Sequence, residues 1–110
     1  MAEMDKELQE QIQRLKILEQ NLQQFLLQKQ AFQFELNETE NALKEVKGTK
    51  EDVFKLTGQI LIKSSKEDLE KELSQKKDIL ELRLKAIEKQ ESNLKKETEK
   101  IRGDVMKKIK

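Results

Sequence analysis

Two residue patterns in this sequence could do polar chemistry: a carboxylate pair and runs of lysine. Glu67-Asp68 has the residue type needed for acid-base work, and Lys76-Lys77 and Lys95-Lys96 carry the charge needed to hold phosphate. Neither has the company that such chemistry requires. The chain contains no cysteine and no histidine, so a thiolate nucleophile, a disulfide, a zinc-finger ligand set and the commonest general base are all missing. No glycine-rich phosphate loop or metal-ligand cluster accompanies the carboxylates. Glu67-Asp68 is better explained by helix capping, and the lysine runs by solvated helix faces carrying i,i+4 pairs. The expectation is a protein that is not an enzyme, with no cofactor and no metal.

The remaining chemistry is apolar, and it gathers in two places. Met1, Met4, Leu8 and Ile12 near one terminus match Ile101, Val105, Met106 and Ile109 near the other, with Lys107, Lys108 and Lys110 as a charged rim. Methionines and aliphatics at an open helical end form an adaptable, weakly specific surface suited to a partner of no fixed shape. The plainer alternative is that they finish a helical seam and fray. Gly103 weakens the helix there without distinguishing the two. The second place is Val53, Phe54 and Leu56, then Gly58, then Ile60, Leu61 and Ile62, a β-hairpin pattern around a glycine. Strand alternation puts Val53, Ile60 and Ile62 opposite Phe54, Leu56 and Leu61, so both faces are apolar. An isolated hairpin of that kind needs a cover, and its open edges invite strands of another subunit. The plainer alternative is a loop folded back on its own helices.

These two places must be positioned by the rest of the chain, and composition limits how. With 41% charged and 35% hydrophobic residues in 110, there is too little apolar material for a thick core. The absence of proline and the abundance of Glu, Lys, Leu and Gln are the composition of long helices. From Leu8 a heptad frame places Leu8, Leu15, Leu22, Lys29, Leu36 and Leu43 at a, and Gln11, Leu18, Phe25, Phe32, Thr39 and Val46 at d. Ile12, Ile17, Leu26, Leu27 and Phe34 are expected to widen this stripe. A second frame runs through Leu73, Lys77, Leu80, Leu84, Ile87, Glu91, Leu94, Thr98, Ile101 and Val105. Lys29 and Glu91, at seam positions, are expected to set register or reach to the seam's edge.

Lys47-Gly48-Thr49-Lys50 reads as a helix stop, with glycine able to take a left-handed conformation. Ser65 to Asp68 has capping-box spacing, so the second helix begins near 65 or 66. The expected fold is mainly α: an antiparallel two-helix coiled-coil hairpin with a short β-hairpin at the turn, oligomerising through the strands. It forms one domain over 1–110, with helix at about 7–47, hairpin at 53–63 and helix at 65–109. At about 1.5 Å per residue each helix is roughly 60 Å long. Antiparallel matching pairs Leu15 with Ile101, Leu22 with Leu94, Leu36 with Leu80 and Leu43 with Leu73, and brings the termini together away from the strands.

Charge and hydropathy narrow the partners. The net charge is +1, made of −3 over residues 1–62 (8 Lys/Arg, 11 Asp/Glu) and +4 over 63–110 (15 and 11), which favours the halves lying side by side. That balance argues against a dominant nucleic-acid or anionic-membrane footprint. The opening MAEMDKELQE lacks a signal-peptide pattern, and no stretch approaches the roughly 18 apolar residues of a membrane span, so a cytoplasmic location is expected.

The run VFKLTGQILIK at 53–63, a charged cap after it, and LELRLKAIEKQE at 80–91 together resemble the β-type subunit of prefoldin. The hairpin run is the most specific part, and one hairpin rather than two points to the β type. The resemblance implies an ATP-independent chaperone subunit in a hexamer of two α and four β subunits. It also implies hairpins that build β-barrels, helical tips that hold unfolded clients, and delivery of those clients to a group II chaperonin in the archaeal or eukaryotic cytosol. Carried over, Val53, Phe54, Leu56, Gly58, Ile60, Leu61 and Ile62 are assembly residues and the two apolar tips bind client. Two other functions fit a helical hairpin: a nucleic-acid-binding coiled-coil arm using the net-positive second helix, and a purely structural scaffold.

Overall fold

The computed structural model describes the backbone from Ala2 to Ile109 and the side chains from Lys6 to Ile109. Four elements follow one another: α1 (Ala2–Gly48), β1 (Val53–Thr57), β2 (Ile60–Ser64) and α2 (Lys66–Ile109). The chain is therefore mainly helical, with an antiparallel two-stranded hairpin between two long helices. Contacts gather into two compact units. One combines the chain through Gln30 with the chain from Lys85, and the other is Ala31–Leu84.

Both helices form because their apolar residues recur at heptad spacing, and every a and d position of the α1 frame from Leu8 to Val46 is buried or half-buried. The same holds for the α2 frame from Leu73 to Val105. In the unit Ala31–Leu84, Leu36, Leu80 and Leu84 make the core, with Phe32 packed against it and the Arg83 guanidinium 5.9 Å from the Phe32 ring centroid. Leu36 meets Leu80 as the antiparallel register requires. Lys76 reaches Glu35 at 3.4 Å on the flank of that seam.

In the other unit, Leu18, Ile87 and Val105 are buried. Cross-helix ion pairs join Glu7 to Lys108 at 2.7 Å, Arg14 to Glu97, Glu19 to Arg102 at 3.0 Å and Lys29 to Glu91 at 3.4 Å. From the Glu7–Lys108 pair to the Lys29–Glu91 pair the numbers rise along α1 and fall along α2, so the segments run antiparallel. Lys29 and Glu91 meet inside the seam, as their heptad positions predict, and Lys95 approaches the same carboxylate at 3.9 Å. Glu91 is only 8% exposed, and those two ammonium groups are its salt-bridge partners. The two buried threonines need no cross-helix partner. Thr39 donates to the Glu35 carbonyl at 2.8 Å and Thr98 to the Leu94 carbonyl at 2.7 Å, each one turn back on its own helix.

Helix ends show one agreement and one correction. Ser65 caps α2 as expected: its hydroxyl accepts the Asp68 amide at 3.1 Å, and Glu67 and Asp68 place negative charge in the first turn. Gly48, expected to close α1 by a left-handed turn, does not do so; Gly58 is the glycine with positive φ among the described residues. The stop is made by a side chain instead. Lys66, at the start of α2, donates its ammonium to the carbonyls of Lys47 at 2.9 Å and Thr49 at 3.1 Å, which satisfies acceptors the ending helix leaves over.

The stripe-widening expectation also needs correction. Ile12 is half-buried beside the seam, but Ile17, Leu26, Leu27 and Phe34 are exposed. A seam against a single helix accepts a and d side chains and leaves c and f positions such as Ile17, Leu27 and Phe34 facing water, while the e position lies at its margin, half-buried at Ile12 and exposed at Leu26.

Replacing Leu80, 2% exposed, by alanine should lower the unfolding free energy by roughly 2–5 kcal/mol in urea titrations at fixed protein concentration. Glu91→Lys should cost about 1–3 kcal/mol by crowding cations around Lys29 and Lys95, and adding Lys29→Glu should recover part of the loss.

Candidate functional site

The hairpin belongs to the unit Ala31–Leu84. Its register pairs Val53 with Ser64, Phe54 with Lys63, Lys55 with Ile62, Leu56 with Leu61 and Thr57 with Ile60. Opposed residues share a face, so Phe54, Leu56 and Leu61 lie on one side and Val53, Ile60 and Ile62 on the other, the division that strand alternation predicts. The loop is two residues long. Gly58 has φ of 63° and Gln59 has no positive φ, which is a type II′ turn, whose first position favours glycine.

The base of the hairpin is anchored and the rest is not. Val53 is half-buried, and with Phe54 it lines a shallow depression shared with Val46 and Leu69. Lys55 makes an ion pair with Glu72 of α2, and Lys63 pairs with Asp52 at 3.4 Å. Beyond that base, Leu56, Ile60 and Leu61 are each about two-thirds exposed, and Phe54 and Ile62 about half. Large apolar side chains are thus left uncovered on both faces of a sheet that has only two strands. Linear spacing gives no sign of the Lys55–Glu72 pair or of the Lys66 cap, because both depend on how the strands meet the helices.

The other candidate residues lie in the unit formed by the chain through Gln30 and from Lys85. Met1 and the side chain of Met4 fall outside the described residues. Leu8, Ile12 and Ile101 are half-buried along the seam, and Val105 is buried in it at 6% exposure. Met106 and Ile109 face water, at 50% and 61%. Lys108 bridges back to α1, donating to Glu7 at 2.7 Å and Gln11 at 2.9 Å, which holds the terminal turns of α2 against α1. Of the described tip residues, two are therefore free in this conformation and four line or fill the seam.

Three lysines of the α2 runs are in ion pairs: Lys76 with Glu35, Lys77 with Glu81 at 3.9 Å and Lys95 with Glu91. Among the described residues there is no group of acidic, histidine or cysteine side chains placed to hold a metal, and no helix long and apolar enough to cross a membrane.

Comparison with known proteins agrees with this arrangement. Residues 9–110 match the family model described as "Prefoldin subunit". A prefoldin subunit beta from Pyrobaculum neutrophilum is 34% identical, the alignment covering 99% of this chain and 88% of that one. One from Saccharolobus islandicus is 36% identical over 90% of this chain and 80% of that one. The crystal structure of the prefoldin beta subunit from Thermococcus strain KS-1 superposes with a TM-score of 0.85 at 31% identity, over 92% of this chain and 90% of that one.

Ile60→Lys combined with Ile62→Lys places two cations on one exposed hairpin face and should leave the helical content unchanged. Native mass measurement should show the loss of any assembly built through that face.

Proposed function

The chain belongs to the prefoldin family, whose members are chaperone subunits that assemble with other prefoldin subunits, and from that premise we propose that it acts as the β-type component of an ATP-independent holdase. Four such chains join two α-type subunits, and the uncovered hairpin supports strands as the joining element. Val53, Phe54, Leu56, Ile60, Leu61 and Ile62 supply the apolar contacts, and Gly58 supplies the tight turn that presents them.

Client capture is assigned to the terminal segments of both helices. The observation that carries this reading is the exposure of Met106 and Ile109 just beyond Val105, the last buried seam residue of α2. An unbranched thioether and an aliphatic side chain bind apolar segments of many shapes weakly. Several such tips acting on one unfolded chain raise the effective affinity, and each contact still releases easily. No covalent step and no nucleotide enter this scheme. Release follows when a group II chaperonin in the cytoplasm offers a competing surface near the same tips. Leu8, Ile12, Ile101 and Val105 add to the capture surface to the extent that the terminal turns part.

The test mixes this chain with an α-type subunit and a denatured protein diluted from guanidinium, without nucleotide, and follows light scattering. Met106→Glu with Ile109→Glu should leave assembly mass and helicity intact and raise the concentration of complex needed to suppress aggregation severalfold. Unchanged suppression by the variant would remove these residues from the capture surface.

A further inference from the structure

In a chain that is 41% charged, one stretch of α1 carries no charge on any solvent-facing position. From Gln20 to Gln30 the single charged residue is Lys29, and it is turned into the seam against Glu91. The positions that face water there hold glutamine, asparagine and leucine instead. Ile17, Gln20, Gln24 and Leu27 recur at spacings of three and four, so they share one outward face, with Gln23 and Leu26 beside them. All six side chains are exposed, with Leu27 at 61%, Ile17 at 48% and Leu26 at 42%. They belong to the same unit as the terminal segments.

An ordinary solvated face of a coiled-coil helix is charged, because charge keeps it wet and separate. The outward face of the α2 segment in the same unit follows that rule, with Lys85, Lys89, Lys96 and Lys100 exposed. Neutrality changes what can be laid against the α1 face. Between Gln20 and Gln30 covering it dehydrates no ion, with exposed Lys16 and Glu19 bordering the face at its N-terminal end, and so avoids most of the desolvation cost that meeting an apolar partner would impose on a lysine or glutamate face. Each glutamine offers a carbonyl acceptor and two amide donors. Those groups match the unpaired backbone N–H and C=O groups of an extended chain, while Ile17, Leu26 and Leu27 match its apolar side chains. A folded, charged protein surface has neither its amides free nor its charge balanced here.

We infer that this face of α1 is a second capture surface, which binds an extended, uncharged, apolar stretch of a non-native polypeptide by side-chain amide hydrogen bonds and aliphatic contact. The inference rests on the holdase reading given above and adds to it a shaft site separate from the terminal residues. A client stretch would run along the helix, each short contact weak and sequence-tolerant, and binding there would be insensitive to ionic strength because no ion pair forms.

The experiment places a photo-crosslinking amino acid at Gln24, at Lys89 on the charged face of α2, or at Met106, in the complex with the α-type subunit. Each complex is irradiated during capture of guanidinium-denatured citrate synthase. Client adducts are expected from Gln24 and Met106 and not from Lys89, with the Gln24 yield unchanged between low and high salt. In parallel, Leu26→Glu with Leu27→Glu should weaken aggregation suppression severalfold at unchanged assembly mass and helicity. Adducts from Met106 alone would overturn the shaft site and leave the holdase reading standing. A Gln24 adduct to another prefoldin subunit would reassign the face to assembly and equally overturn it. The absence of client adducts from all three positions, with aggregation unsuppressed, would overturn the holdase reading and this inference together.

Discussion

Burial in this protein is a seam one side chain deep. Each helix segment packs its a and d residues against one other helix, and every buried hydrophobic side chain among the described residues is one of them. Leu36, Leu80 and Leu84 form a compact core with Phe32 packed against it and the Arg83 guanidinium over the Phe32 ring. Polar residues can occupy such a seam only with partners close at hand. Thr39 and Thr98 satisfy themselves on their own helix, and Glu91 is held between Lys29 and Lys95. The ionic layer sets registry as well as charge, since sliding one helix by a turn would leave Glu91 buried without its cation.

A seam this thin leaves every other large apolar residue in contact with water, and such residues are numerous here. In a thicker fold Phe34, Leu56, Leu61 and Leu82 would be core; here each is about two-thirds exposed. A chaperone subunit has use for that outcome. Binding unfolded chains requires apolar surface that stays available, and assembling with other subunits requires apolar surface that is covered only in the complex. In the proposed assignment the hairpin serves the second need, since large apolar side chains on both of its faces are left exposed. In the same proposed assignment Met106 and Ile109 serve the first, exposed just past Val105, the last buried seam residue of α2.

The heptad frames and the strand parity were legible residue by residue. Every seam position assigned from spacing is buried or half-buried, including polar Lys29, Thr39, Glu91 and Thr98, and the hairpin residues divide between two faces as alternation requires. Ser65 was legible as a cap because its partner is three residues away. Features that join distant residues were not. The end of α1 was correctly placed, but its chemistry was assigned to Gly48, where the structure uses Lys66 from the start of α2. Ile17, Leu26 and Leu27 were expected to thicken the seam and instead face water, and Val105, which spacing placed both in the seam frame and at the tip, is buried in the seam.

That division has a physical basis. Helix, strand and cap are decided by interactions that span a few residues, so periodicity, a glycine in a two-residue loop and a serine before an acidic turn were sufficient to determine them. Burial is decided by how many neighbours surround a residue, and a sequence does not state that number. An apolar residue beside a heptad stripe is core if two helices flank it and surface if one does. Only the tertiary structure showed that one helix flanks it here, and with that decided which leucines hold the protein together and which remain free to bind.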